Sequence, residues 1–440
     1  MIQAVIFNQY LARYKHIIIF ISVNRQLIFK CFDEESGGRK IVIKEIINRE
    51  NVENLLADLI KIPSPFFRED EVMEFVFKWF KDKDLPVKIH NFHEKKITDF
   101  DGKNIVGSLK GDDEGPKVLL NGHLDTVEIC EGWTKEPLGA EIEGDKMYGV
   151  GSLDMKSGCV AIMLAVEAFS KTVDRFNGEI LYTLVSDEEG PFGLGTDNLI
   201  LDGYTDDVDV AIVPEPSSGF AGEDFPCLCL GARGGWKYKV NVKGRSAHGA
   251  NPEKGINAIS ELSKILLEIE NSNLQAHEKL GAGSICVIDV DGGGAPLSVP
   301  DKSSFSVFRH VTIGEDKTYI RKEFEEAVKK AKIKGTATLE FRDAPHKNCD
   351  GFLPYVVSES NPYTQSFKKS VLEVTESNPQ IAYFSSVGDF NYLGSRVKVP
   401  TFVFGPNGEN YHSADEYVKL NTVVKTAEVI YDYLVNILVD

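Results

Sequence analysis

The sequence predicts an α/β fold: a mostly parallel mixed sheet covered by helices, interrupted by an inserted α+β domain of ferredoxin-like order. Three observations predict it. Short apolar runs that end in polar or charged residues (NIVGSL, KVLLNGHLD, GEILYTLVSDEEG, DVAIVPEP) recur between stretches of helical periodicity, as strands buried on both faces do. Between 232 and 342 the pattern changes to strands that alternate in polarity, with two helices among them. Finally, 440 residues are too many for one ordinary core, so the chain should divide.

Residues 1–48 form an N-terminal extension, read either as an extra hairpin packed on the body or as translated sequence upstream of the true start. They hold apolar bursts, an EESGG break at 34–38 and a strand-like KIVIKEII at 40–47. The apolar run IIIFISV at 17–23 is shorter than the ~20 residues of a membrane helix, and no small-residue cleavage site follows it. A cytoplasmic protein with no membrane partner is expected. From Asn51, NVENLLADLIKI has apolar residues at helical spacing and ends at Pro63, and EDEVMEFVFKWFKDK is a second amphipathic helix. SGCVAIMLAVEAFSK reads as a helix between KVLLNGHLD and GEILYTLVSDEEG, and GTDNLILDG as the start of another. With the helix and strand alternation of the C-terminal segment, these make a first domain from 49–231 and 343–440. WKYKVNVKG, GINAISELSKILLEIE, SICVIDV, SSFSVFRHVTI, YIRKEFEEAVKKAKI and TATLEFRD give β-α-β-β-α-β at 232–342, an antiparallel sheet with two helices on one face.

A formal net charge of −18 repels a phosphate backbone and no basic stripe reverses it, so nucleic acid is not expected as a partner. A substrate anion would need a cationic contact inside the site. The seven cysteines are scattered and odd in number, which fits a reducing compartment better than a disulfide framework; Cys227 and Cys229 read as alternate residues of one strand.

In open α/β sheets the working residues gather at the carboxyl ends of strands, and here those ends carry His123, Asp125, Glu188, Glu189 and Glu215. Singly, each has an ordinary reading. His123 and Asp125 would be a surface pair, Asp154 in GVGSLDMKSG a helix N-cap, and the adjacent Glu188 and Glu189 solvated acids. His412 sits in the loop GPNGENYHSADEY beyond strand TFVF. Together they supply one nitrogen and two carboxylates, twice over with one carboxylate shared, a donor set suited to paired zinc ions. Two acids held together in a cleft are costly without such a cation, and a carboxylate two residues beyond a ligand histidine can hold its other ring nitrogen.

On these segments, over about 50–440, the sequence resembles the zinc aminoacylase, acetylornithine deacetylase, succinyl-diaminopimelate desuccinylase and glutamate carboxypeptidase family. The resemblance implies that His123 and Glu215 bind one zinc, Glu189 and His412 bind the other, and Asp154 bridges them. It makes Asp125 the orienter of His123 and Glu188 the catalytic base. It implies two zinc ions per subunit, with cobalt or manganese able to serve, and a homodimer formed through the inserted lid. GRSAHGANPEKGINA matches the family's lid segment, so His248 would reach the substrate carbonyl of the other subunit. Two positions depart from the family. Ser298 in GGGAPLSVP replaces a common Asn, and Phe308 stands where an acid commonly precedes Arg309. Arg309 itself remains, and is the expected clamp for a substrate carboxylate.

The expected reaction is metal-dependent hydrolysis of the amide bond of a small N-acyl amino acid, deacetylase or desuccinylase in type. Paired cations lower the pKa of a water from near 16 to roughly 7, and Glu188 carries its proton to the departing nitrogen. The alternative is a dipeptidase or carboxypeptidase that applies the same metal chemistry to a short peptide. A non-catalytic metal-bound scaffold would have no reason to keep Glu188. His90 and His93 lie in a charged stretch expected to be exposed, and His16, His277, His310 and His346 lack the carboxylate context of a ligand.

Overall fold

The computed structural model describes residues 16–23, 26–33 and 41–439, with side chains from residue 41 onward. His16–Val23 and Gln26–Asp33 pair as an antiparallel hairpin. The strand expected at 40–47 does not form, because residues 41–46 are helical. Periodicity cannot separate strand from helix in so short an apolar run. Here Ile43 and Ile47 stand one helical turn apart, with the Ile47 N–H donating to the Ile43 carbonyl at 2.6 Å, and Ile43, Ile46 and Ile47 all join the main core. The folded body therefore begins before residue 49.

Among the described residues the main sheet has nine strands in mixed orientation. At its centre four neighbours run parallel: Asn177–Val185, Asp113–His123, Val210–Val213 and Thr401–Val403. Antiparallel strands Phe100–Lys110 and Lys88–Glu94 extend one side. Cys227–Ala232 extends the other, with Gln380–Phe384 parallel to it. Helix Ser157–Thr172 is buried through its whole first thirteen residues, as a helix sandwiched between a sheet and a second helix must be. Its cover is Leu420–Leu438, the last helix of the chain. At its start Gly158 faces the Pro214 carbonyl, and an added Cβ would stand 2.2 Å from that oxygen. Glycine lets the helix approach the strand end that carries Glu215.

A small sheet joins segments far apart in sequence. Gly408–Glu409, Tyr417–Lys419, Lys146–Tyr148 and Glu141–Glu143 pair in that order. It ties the chain after Asp125 to the chain around His412, an antiparallel register that no local pattern predicts.

The inserted sheet is antiparallel throughout, in the order Ser284–Gly293, Lys302–Val311, Gly234–Lys243 and Thr336–Phe341. Helices Ala258–Glu270 and Lys317–Ala331 pack against its apolar side and enclose a separate core around Tyr238, Val240, Phe305 and Ile320. Among the described residues no helix is long and apolar enough to cross a membrane.

Helix propensity alone would make Gly158→Ala stabilising by about 1 kcal/mol. The Pro214 carbonyl reverses that sign: we expect a loss on the order of 1–3 kcal/mol in urea unfolding, and a more stable variant would show that the helix can recede.

Candidate active site

The four parallel strands all end at one place. His123 is level with Val185 and Val213 with Val403, so their carboxyl ends deliver Glu188 and Glu189, His123 and Asp125, Glu215, and the loop bearing His412. Asp154 arrives separately, on the turn Ser152–Lys156 ahead of the buried helix. Gly151, at φ 71°, opens that turn, and a Cβ there would lie 2.4 Å from Thr126 Cγ2. Asp187 also takes a positive φ, 57°, and the two acids after it find different partners.

The distances test whether this constellation suits divalent cations. In a tetrahedral site with bonds of about 2.1 Å, two ligand atoms of one ion stand about 3.4 Å apart. His123 Nε2 lies 3.4 Å from both Asp154 Oδ1 and Glu215 Oε1, and His412 Nε2 lies 3.5 Å from Asp154 Oδ2. These spacings are long for hydrogen bonds and match a coordination edge. The two Asp154 oxygens face different imidazoles. His412 stands closer to Glu189, at 2.9 Å. His123 Nδ1 donates to the Asp125 carbonyl at 3.0 Å and has the Asp125 carboxylate at 3.4 Å, so Nε2 is turned toward the acids, where it is buried with no hydrogen-bond partner. Donor atoms of His123, Glu188 and Glu215, and of His123, Asp154 and Glu189, lie within 4.8 Å of one another. The residues present fit a pair of cations.

Glu188 is held differently. Its Oε1 accepts the Asp389 N–H at 3.1 Å, and its Oε2 stands 3.7 Å from His123 Nε2, farther than Asp154 or Glu215. Burial pushes the Glu188 and Glu215 carboxyls well above the ordinary carboxylate range, and neighbouring acids add to the effect. Burial opposes a charged His123, yet Glu215, Asp125 and Asp154 hold that imidazole well above its ordinary value. For His412 burial again opposes, and the Glu189 hydrogen bond prevails, raising it to about 9. In the protein alone the raised histidines offset the acids, a role for which divalent cations are also suited.

Seven of the nine residues predicted for the site converge here, and two do not. Asp125 accepts the Glu189 N–H at 2.8 Å, so it braces the acid pair as well as His123. His248 is exposed on the inserted domain; its Nδ1 accepts the Ala250 N–H at 3.1 Å, which leaves Nε2–H as a donor to the outside. Arg309 corrects the expectation. Its guanidinium is fully buried and committed to Glu315 at 2.8 Å, Glu323 at 3.1 Å and the His310 carbonyl. Four of its five N–H donors are spent, and the buried group has no surface to offer a substrate.

Three residues escaped the sequence reading. Asp389 meets Glu188 through its N–H, while its carboxylate takes Asn121 at 2.9 Å and Thr196 at 2.5 Å. Glu416 is buried against the Asp154 turn; its only signal was an acid four residues after His412. Arg233, at the junction with the inserted domain, has no carboxylate partner among the described residues. It bonds the Leu280 carbonyl at 3.0 Å, and its backbone joins the 384–391 segment that holds Glu188. His90, expected to be exposed, is buried between Asp202 and Asn104. Asp197, His346 and Cys349 also cluster, but Asp197 is already paired with Arg396 at 2.6 Å and His346 at 2.8 Å.

Residues 119–436 match the Peptidase family M20/M25/M40. A succinyl-diaminopimelate desuccinylase of Rickettsia felis is 28% identical over 88% of this chain and 99% of its own length. The fold is similar to that of the di-peptidase Dug1p from Saccharomyces cerevisiae, with a TM-score of 0.73 and 16% identity over 90% of this chain and 98% of that one. It is also similar to the Bacillus subtilis protein YXEP, described as a dinuclear metal binding peptidase, with a TM-score of 0.63 and 13% identity over 90% and 98%.

The raised His412 sets a pH dependence. In metal-free protein its pair with Glu189 stabilises the fold fully below about pH 6.5, and that stability is lost as pH rises through about 9. A cation must displace the same proton. Apparent metal affinity, followed by calorimetric titration, is therefore expected to climb roughly tenfold per pH unit from 7 toward 9. A plateau by about pH 7.5, where an ordinary imidazole has already lost its proton, would contradict this.

Proposed function

The chain belongs to peptidase family M20/M25/M40 and is a metal-dependent amide-bond hydrolase; from that premise we propose that it deacylates a small N-acyl amino acid, desuccinylation being the favoured case, with Glu188 as general base. The observation that carries this reading is the contrast between the adjacent acids. Glu189 is paired with His412, whereas Glu188 has one oxygen tied to the Asp389 N–H and the other directed at the cluster. In this reading His123 and Glu215 hold one zinc, Glu189 and His412 the other, and Asp154 bridges.

Bound cations supply Lewis acidity, lowering the pKa of a water from about 15.7 to about 7 and polarising the amide carbonyl. The chain's own groups do the rest. Glu188 takes the proton from the attacking water and returns it to the leaving nitrogen, its orientation fixed by Asp389. His248 donates from Nε2 to the carbonyl oxygen, where negative charge develops. The family resemblance implies that His248, on the inserted domain, would serve the site of a second subunit. Strand Ser284–Gly293 supports such a homodimer: among the described residues it is paired on one side only, and Ile288, Val290, Leu267 and Leu297 are exposed on and beside it.

The substrate carboxylate is assigned to Arg233 instead of Arg309, since Arg233 combines partial burial with unspent donors beside the segment that holds Glu188. Hydrolysis of a panel of N-succinyl and N-acetyl amino acids and dipeptides tests the assignment. Preference for N-succinyl substrates supports it, and turnover of dipeptides alone replaces it with the peptidase reading.

Glu188→Gln should retain both metal ions by elemental analysis and lose on the order of 10²–10⁴ in kcat; normal turnover would remove Glu188 as base. Arg233→Ala should raise KM for N-succinyl substrates by about 10–100-fold, the worth of a hydrogen bond to a charged group. Arg309→Ala, by contrast, should cost about 3–5 kcal/mol of stability by stranding Glu315 and Glu323. Interchanged phenotypes would restore the original clamp.

A further inference from the structure

We propose that Glu416 is the positioning residue for the bridging carboxylate, a role that rests on the two-cation reading above. Its side chain is buried and spends both oxygens on one turn. Oε2 accepts from Gly151 N at 2.9 Å; Oε1 accepts from Leu153 N at 2.8 Å and from Asp154 N at 3.1 Å. The third donor is the backbone of Asp154 itself, so any shift of the Glu416 carboxylate is felt directly at the Asp154 Cα. Without that acceptor, three N–H groups would be left buried and unpaired.

The brace is tied to the metal ligands by covalent distance. Glu416 lies four residues after His412, and its own carbonyl accepts the Gly149 N–H at 3.0 Å, while Tyr417 pairs with Tyr148. One short segment thereby places an imidazole and, through Glu416, the carboxylate that imidazole must share. The far end of the turn is fixed by a second buried side chain. Lys156, also fully buried, donates to the Leu59 and Ile62 carbonyls at 2.8 and 3.0 Å. The turn is gripped between two buried side chains, the Glu416 carboxyl and the Lys156 amine, which keeps the Asp154 oxygens 3.4 and 3.5 Å from two separate imidazoles. Glu416 makes no contact with either imidazole among its hydrogen bonds, so it acts through Asp154.

The test is zinc binding to the EDTA-stripped full-length chain, by calorimetry against a competing chelator. Glu416→Gln keeps the shape but turns an N–H₂ donor toward one of the backbone donors; Glu416→Ala removes all three contacts. Wild type should bind two zinc ions, with at least one weakened roughly 10-fold in E416Q and about 100-fold in E416A, the usual range for residues that orient a ligand. E261Q, which alters a buried acid of the inserted domain that receives the Lys334 N–H, should bind as wild type does. Melting temperature should fall more in zinc-loaded E416Q than in the stripped protein. If E416A fails to fold, E416Q still decides. Unchanged zinc affinity in E416Q, or equal losses of melting temperature with and without zinc, would make Glu416 a purely structural residue and overturn the inference. A wild-type chain that binds no zinc would instead remove the two-cation reading, which keeps the two failures distinct.

Discussion

The sharing of Asp154 between His123 and His412 is the constraint on which the rest of the site depends. A carboxylate can serve two imidazoles only if each oxygen faces its own partner, and that demands a fixed backbone beneath it. The Ser152–Lys156 turn meets the demand. Glycine at 151 permits its opening, Glu416 and Lys156 hold its ends, and the buried helix beyond it is pressed against Pro214. Loosening any of these would leave two half-sites in place of one paired site.

The same constraint explains why the remaining ligands come from neighbouring parallel strands. Such strands carry their carboxyl ends to a common edge, where loops are free to vary without disturbing the core. Glu188, Glu189 and Glu215 are brought within reach of two histidines there, Asp154 joins them from its own turn, and the four acids are largely removed from water. Burial of several acids together is unfavourable unless positive charge compensates. The protein alone answers with protonated histidines and backbone N–H groups. In the proposed two-cation reading, divalent cations would complete the compensation.

The parts of this arrangement that were legible in the sequence are those set by local pattern. Apolar runs ending in acids or histidine marked the parallel strands, because a strand buried on both faces cannot hide its change of polarity at the edge. The change to alternating strands near 232 marked the inserted sheet. The parts that were not legible depend on contacts between distant segments. The small sheet joining 141–148 to 408–419 has short strands with no distinctive periodicity, so Glu416 gave no sign of its target. Arg309 looked like a free cation in a strand, and only the folded structure shows Glu315 and Glu323 closing on it. Residues 41–46 were misread as strand because a run of six residues satisfies both periods.

The most direct test of the account is anomalous X-ray scattering at the zinc edge from crystals of the zinc-loaded chain. Two peaks are predicted, one among His123, Glu215 and Asp154 and the other among Asp154, Glu189 and His412. A single peak, or zinc seated elsewhere with Asp154 turned away from one of the imidazoles, would contradict it.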